Sequence, residues 1–220
     1  MDNHNYRHNH NLNLSHNNLN HNHLNHNHNF KPNNSPRKPI VLAFAGPNGS
    51  GKTTITRNLT PLGTYVNADD IKAEYGISDL EAAQQAELLR NTLLDKRQDF
   101  SFETVLSTER NLLLLEKAKE LGYEVQCFYV LTCDENINVA RVRARYASGG
   151  HDVPEDKIRL RYHRALALIP RLLAICDKAL IYDNSVTPTL IFRKEGADSA
   201  IYPSDLWLDG DIRRLVTGFE

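Results

Sequence analysis

Ile40-Val41-Leu42-Ala43-Phe44-Ala45-Gly46-Pro47-Asn48-Gly49-Ser50-Gly51-Lys52-Thr53-Thr54 decides the fold of this 220-residue chain. An apolar run of strand length stops at Gly46, and a helix-competent segment starts after Gly51. Between them stands G-x-x-x-x-G-K-T, a phosphate-binding loop. Its three glycines let the backbone take positive φ and turn successive N–H groups inward around an anion. The helix that follows adds its positive end. On this reading Gly46, Pro47, Asn48, Gly49, Ser50, Gly51, Lys52, Thr53 and Thr54 form a nucleotide cradle. Lys52 reaches the β- and γ-phosphates, and the Thr53 hydroxyl ligates Mg²⁺. The stretch therefore implies a bound nucleoside triphosphate.

Upstream of it the composition changes. Eight of the ten histidines and a run of asparagines lie between His4 and Asn29. Leu12, Leu14, Leu19 and Leu24 are too few to offset the entropy of ordering such a segment. Residues 1–38 are accordingly expected to be a disordered, low-complexity tail, and residues 39–220 the folded domain. The imidazoles could hold Zn²⁺, Ni²⁺ or Cu²⁺ weakly, but a solvated tail is the simpler reading. Pro32, Pro36 and Pro39 stiffen the passage into the first strand.

No basic start followed by roughly 7–15 apolar residues marks a signal peptide. No run approaches the about 18 apolar residues of a membrane span. Cys127, Cys133 and Cys176 are too few and too scattered for a disulfide framework or a zinc knuckle, so a reducing cytoplasm is expected. The tail carries one acid and four bases, so of the chain's net charge of −1 the body holds −4. A body of that sign offers no broad nucleic-acid footprint.

Downstream, strand and helix signals alternate. Thr53 to Leu59 reads as helix, ended by Thr60-Pro61-Leu62-Gly63. Thr64 to Asn67 reads as a short strand running into Ala68-Asp69-Asp70. A capping box, Ser78-Asp79-Leu80-Glu81, opens a long helix with Ala82, Ala86, Leu89 and Leu93 on one face. Phe100 to Val105 is the next strand, and a helix over Glu109 to Leu121 stops at Gly122. Tyr123 to Leu131 is strand, and Asp134 caps a helix from Asn136 to Tyr146. Glu155 begins another helix that Pro170 kinks or ends at Ile169. Ala179 to Tyr182 is a last core strand with the exit loop Asp183-Asn184-Ser185. The alternation predicts an α/β fold, a five-stranded, mainly parallel sheet with helices on both faces. Thr189 to Phe192 and Ala200 to Tyr202 read as a hairpin, and Asp211 to Val216 as a short final helix. In such sheets ligands sit at the carboxyl ends of the strands. Lys52, Asp69, Asp70, Glu103 and Asn184 all follow a strand.

Taken in order, these segments resemble the zeta toxin family of P-loop kinases over roughly residues 39–185. The resemblance is carried by Gly46 to Thr54, Asn67-Ala68-Asp69-Asp70-Ile71, Phe102-Glu103-Thr104-Val105-Leu106-Ser107 and Gly122-Tyr123-Glu124-Val125. It continues through Arg141 to Arg145, Gly149-Gly150-His151-Asp152-Val153-Pro154 and Asp183-Asn184-Ser185. It implies transfer of the γ-phosphoryl group of ATP, with Mg²⁺, to a hydroxyl of a small molecule. In the best-known members that molecule is a UDP-amino-sugar. It further implies Asp69 as the base, with Asp70 second, and Glu103 and Thr104 as groups that hold the acceptor. An antitoxin protein is an implied partner. Val105 departs from the pattern, since relatives often carry a threonine there.

Arg141 and Arg145, four apart, share one helix face, while Arg143 points elsewhere. Either of the pair is a candidate clamp for the γ-phosphate. His151 stands where longer relatives carry a second arginine, and Arg161 or Arg164 could supply that charge instead. Two other functions fit the same loop. A kinase of nucleotide or polynucleotide ends would need a basic channel, and a nucleotide-operated switch would need no acceptor base.

Overall fold

The computed structural model describes residues 37–56, 59–149 and 153–218. Residues 1–36 of the His/Asn-rich tail, and His151, lie outside the described residues. The body of the chain is a unit beginning at Arg37.

Five strands run parallel: β1 (Ile40–Ala45), β2 (Thr64–Val66), β3 (Phe100–Thr104), β4 (Glu124–Leu131) and β5 (Lys178–Asp183). β1 is central, with Ala43 opposite Phe102 of β3 on one side and Cys127 of β4 on the other. Both faces of β1 are covered, which is why it reads as an unbroken apolar run and not as an alternation. The sheet then continues past the expected five strands. β6 (Thr189–Glu195) and β7 (Asp198–Ile201) add antiparallel beyond β5, giving seven strands in the order β2-β3-β1-β4-β5-β6-β7. The hairpin that the sequence suggests is therefore part of the sheet. A bare β5 edge would leave a row of N–H and C=O groups unpaired, and β6 satisfies them.

The helices are α1 (Lys52–Thr56), α2 (Ala68–Tyr75), α3 (Asp79–Asp95), α4 (Arg110–Glu120), α5 (Glu135–Ala147), α6 (Glu155–Ala167), α7 (Ile169–Ile175) and α8 (Asp209–Thr217). The Ser78 box is complete: its hydroxyl accepts from the Glu81 N–H, and the Glu81 carboxylate accepts from the Ser78 N–H. The Asp134 carboxylate caps α5 by accepting from the Asn136 N–H. Gly122, at φ 81°, follows the last turn of α4 in the left-handed region. Where one helix ending near Ile169 was expected there are two, broken at Leu168. Pro170 falls in the first turn of α7, where its missing N–H has no helical partner to lose.

One face of the sheet, with Val41, Ala43, Phe100 and Phe102, packs against α3, α4, α7 and α8 through Leu94, Leu112, Leu115, Leu172 and Ile212. The other face is smaller: Leu42, Phe44, Phe128 and Val130 meet Ile55, Leu62 and Tyr65. Each fully buried Phe or Leu contributes about 1.5–3 kcal/mol. Leu89, expected on the core face of α3, is 37% exposed. That face is formed instead by Ala82, Ala86, Arg90, Leu93 and Leu94.

β1 leads directly into the loop at Gly46, whose φ is 142° and whose N–H donates to the Thr104 carbonyl at 3.2 Å. A Cβ at Gly46 would stand 1.9 Å from the Val130 carbonyl oxygen, which is backbone and cannot swing aside. Gly46→Ala is expected to destabilise the domain by about 3 kcal/mol or more. Its thermal midpoint should then fall by roughly 6–12 °C in a melt followed by circular dichroism.

Candidate active site

The loop from Gly46 to Gly51 is held from behind by two asparagines that lie far away in the chain. Asn138 Nδ2 of α5 donates to the Asn48 carbonyl at 2.6 Å, and its Oδ1 accepts from the Thr132 hydroxyl. Asn184 Nδ2, after β5, donates to the Ser50 carbonyl at 2.8 Å. A Cβ on Gly51 would meet that same nitrogen at 2.2 Å. Asn184, one of the residues that follow a strand, thus packs against the loop and shapes it.

Lys52 begins α1 and is buried. Its Nζ donates to the carbonyls of Gly46 at 2.7 Å and Pro47 at 3.1 Å. Burial lowers its pKa from 10.5 to about 8, helped by the nearby Arg145 and opposed by the carboxylates of Glu103 and Asp69. Holding this cation in the unliganded fold costs stability below pH 8, and the cost is relieved as pH rises from about 8 towards 10.5. A triphosphate beside Nζ restores the charged form. Binding of a non-hydrolysable ATP analogue near pH 8 should therefore take up about half a proton. The uptake should fade towards pH 6.5. Calorimetry in buffers of different ionisation enthalpy reads it directly.

Glu103, at the end of β3, turns towards the loop. Its carboxylate accepts from the Thr53 hydroxyl at 3.1 Å and from the Tyr65 hydroxyl at 3.1 Å. Tyr65 in turn accepts from Asn67 Nδ2 at 3.4 Å, and Asn67 Oδ1 caps α2 by accepting from the Asp69 N–H at 3.0 Å. Burial and the Glu103 carboxylate together push the Tyr65 hydroxyl pKa up. This chain of side chains ties the ends of β2 and β3 to the phosphate loop. Tyr65 was not singled out in the sequence, because nothing in a lone strand tyrosine signals that its hydroxyl meets Glu103.

The polar Asn67-Ala68-Asp69-Asp70 reads as a strand exit or a helix start; in the structure Asn67 is the N-cap of α2 and both aspartates lie in its first turn. Asp69 lines a cleft of about 690 Å³ together with Lys52, Thr53, Thr54, Glu103, Arg141 and Arg145. Asp70 does not line it. Thr104 lines it too, but its hydroxyl serves the β3–α4 turn, accepting from the Leu106 N–H at 3.0 Å and from Asn111 Nδ2 at 2.7 Å.

Arg141 Nη2 donates to the Ser185 carbonyl at 3.1 Å, while Nη1 is buried without a hydrogen-bond partner among the described residues. That nitrogen lies 3.9 Å from where a Gly51 Cβ would be, at the rim of the cradle. Arg145 is exposed and lines the same cleft. Arg143 faces away and pairs with Glu155 of α6. A second cleft, of about 420 Å³, adjoins the first and shares Asn48, Asp69 and Arg145 with it; Asp79, Lys157 and Arg161 add to its wall. Arg161 Nη1 also donates to Asn48 Oδ1 at 3.4 Å.

Thr53 and Glu103 offer a hydroxyl and a carboxylate side by side, the hard oxygen donors that suit Mg²⁺. Among the described residues no group of three or more His, Cys, Asp or Glu side chains forms a self-sufficient metal site. The donor set fits a cation held mostly by phosphates and water.

The family model described as Zeta toxin matches residues 64–196, more than half of the chain, and the protein belongs to the zeta toxin family. The matched span starts after the phosphate loop. The fold, with a phosphate loop after its central first strand, agrees with that membership. An uncharacterized protein of Haemophilus influenzae is 30% identical over 128 residues, 56% of this chain and 91% of that protein. Among solved structures, an AvrRxo1-ORF1:AvrRxo1-ORF2 complex with sulphate ions superposes with a TM-score of 0.64 at 14% identity, over 83% of this chain. The chain spans 65% of the length of that neighbour. The structure from the PezAT chromosomal toxin-antitoxin system of Streptococcus pneumoniae gives 0.54 at 20% identity, covering 84% of this chain and 80% of its own. At those identities the two structures share the fold. No helix among the described residues is long and apolar enough to cross a membrane.

Proposed function

We propose that the protein transfers the γ-phosphoryl group of ATP to a hydroxyl of a small molecule, with Mg²⁺. One observation carries this reading. The phosphate loop, the first-turn Asp69 of α2 and the two arginines of α5 line a single cleft. Asp69 accepts the proton of the incoming hydroxyl as its oxygen bonds to the γ-phosphorus. The bond from that phosphorus to the β–γ bridging oxygen breaks, and ADP leaves. Lys52, Arg141 and Arg145 stabilise the negative charge spread over the transferring oxygens. Thr53 and Glu103 would hold Mg²⁺, which when bound neutralises charge on the β- and γ-phosphate oxygens.

The adjoining cleft supports an acceptor that itself carries negative charge, since Arg145, Lys157 and Arg161 face Asp69 and Asp79 across it. A UDP-amino-sugar, the acceptor of the best-known zeta toxins, has that character. The PezAT neighbour belongs to a toxin-antitoxin system, and an antitoxin partner is proposed here by analogy. A structure of the AvrRxo1 complex with ATP, at a TM-score of 0.63, supports ATP as the donor.

The test is incubation with γ-labelled ATP and a metabolite pool, followed by identification of the labelled product. A labelled sugar nucleotide is expected. Label confined to nucleic-acid ends would favour a polynucleotide-end kinase. Release of phosphate with no labelled acceptor would favour a nucleotide-operated switch.

A further inference from the structure

Tyr65 lies on the edge strand β2, opposite Ser101 of β3, so its side chain shares a sheet face with Glu103 further along β3. Its ring meets the Phe44 ring edge-on, at 6.3 Å between centroids, within the smaller apolar face of the sheet. The ring therefore has a place in the packing that does not depend on its hydroxyl. The hydroxyl has partners of its own, and their order is fixed. Asn67 Oδ1 is spent on the Asp69 N–H, which settles the end of the amide that faces Tyr65. Asn67 Nδ2 is a donor only, so the Tyr65 oxygen accepts from it, at 3.4 Å. The Tyr65 proton is left for Glu103 Oε2, at 3.1 Å. Burial and the Glu103 carboxylate push the Tyr65 pKa up, so the phenol keeps the proton it donates.

The two oxygens of Glu103 are thus differently employed. Thr53 donates to Oε1 at 3.1 Å, with a longer contact to Oε2 at 3.5 Å, and Tyr65 donates to Oε2. A glutamate that lines an open cleft has several staggered rotamers within reach. A donor on its far oxygen selects the one that keeps the near oxygen beside Thr53.

We infer that Tyr65 is a positioning residue for the cation of the nucleotide site: its hydroxyl holds Glu103 so that the carboxylate and the Thr53 hydroxyl stand together as a prepared pair of hard oxygen donors. The inference rests on the assignment of Mg²⁺ to Thr53 and Glu103. Because Asn67 both holds Tyr65 and caps α2, one amide links the carboxylate of the cation site to the helix that carries Asp69. Outer partners that orient a ligating carboxylate are worth roughly 10- to 100-fold in metal affinity. Mg²⁺ takes most of its ligands from phosphate and water, so the lower end, about 10-fold, is expected here.

The test is the calorimetric affinity of the full-length protein for a non-hydrolysable ATP analogue, measured once with Mg²⁺ and once in EDTA. The ratio of the two affinities reads the cation and needs neither an acceptor nor transfer. Tyr65→Phe keeps the ring against Phe44 and removes only the hydroxyl. It should lower the ratio about 10-fold and leave the EDTA affinity unchanged. Asn67→Ser keeps an oxygen able to cap α2 but has no Nδ2, and should lower the ratio in the same direction by less. In a Glu103→Ala background Tyr65→Phe should have no further effect, because the hydroxyl acts only through the carboxylate. A purely structural tyrosine would lower the EDTA affinity as well, or would keep its effect without Glu103, and either result overturns the inference. A ratio lowered by Glu103→Ala but unchanged by Tyr65→Phe, or by Asn67→Ser if only that variant folds, overturns it alone. A ratio unchanged by Glu103→Ala removes that carboxylate from the cation site, and the role of Tyr65 falls with it.

Discussion

Lys52→Ala is expected to give a folded protein whose phosphoryl transfer has fallen by roughly 10³-fold or more. Lys52 is buried, but its role in the fold is small. Its bonds run to the Gly46 and Pro47 carbonyls of its own loop, and burial already disfavours its charge. Removing the side chain forfeits those two hydrogen bonds and removes a desolvated cation, two effects of opposite sign. The thermal midpoint should therefore move little, while affinity for a non-hydrolysable ATP analogue drops. The variant should also lose the proton uptake expected near pH 8, which assigns that signal to Lys52. A folded Lys52→Ala protein that turns over at the wild-type rate would remove the phosphate loop from the mechanism.

Asp69→Asn should lower transfer by roughly 10²–10⁴ while nucleotide affinity changes little. The helix cap survives the substitution, because Asn67 holds the backbone N–H of residue 69 and not its side chain. What disappears is a proton acceptor at the junction of the two clefts. Binding of the analogue could gain slightly, since one negative charge near the γ-phosphate has gone. Asp70→Asn is the internal control: it lies in the same helical turn but lines neither cleft, and should cost far less. Single-turnover rates decide the matter. Normal transfer by Asp69→Asn with a dead Asp70→Asn would mean the other carboxylate is the base. Normal transfer by both would leave the nucleotide-switch reading in place of the kinase.

The parts of this architecture that were legible in the sequence are those set by local chemistry. Ser78 with Glu81, Asp134 and Gly122 mark helix ends because their side chains or backbone satisfy groups only a few residues away. The apolar run into Gly46 is readable for the same reason. Long-range pairing was not. Whether Thr189 to Phe192 forms a free hairpin or joins the sheet depends on an unpaired β5 edge that no local pattern reveals. At the site, Lys52, Asp69 and Glu103, which the sequence places after strands, line one cleft with Arg141 and Arg145 of α5. Their contacts were not legible. Glu103, expected to hold the acceptor, lines the cleft and also accepts from Thr53 and Tyr65, partners that no local pattern in the sequence reveals. Arg90 was passed over because a charged residue in a helix is ordinarily taken for the solvated face.

The two asparagines beneath the phosphate loop impose an order of events on synthesis. Asn138 is 90 residues downstream of the carbonyl it holds, and Asn184 is 134 residues downstream of its own. A chain leaving the ribosome therefore presents the whole loop sequence long before either support exists. The loop gains its last support only when β5 has emerged and docked beside β4. A product that terminates before residue 184 carries the loop without the hydrogen bond that holds the Ser50 carbonyl.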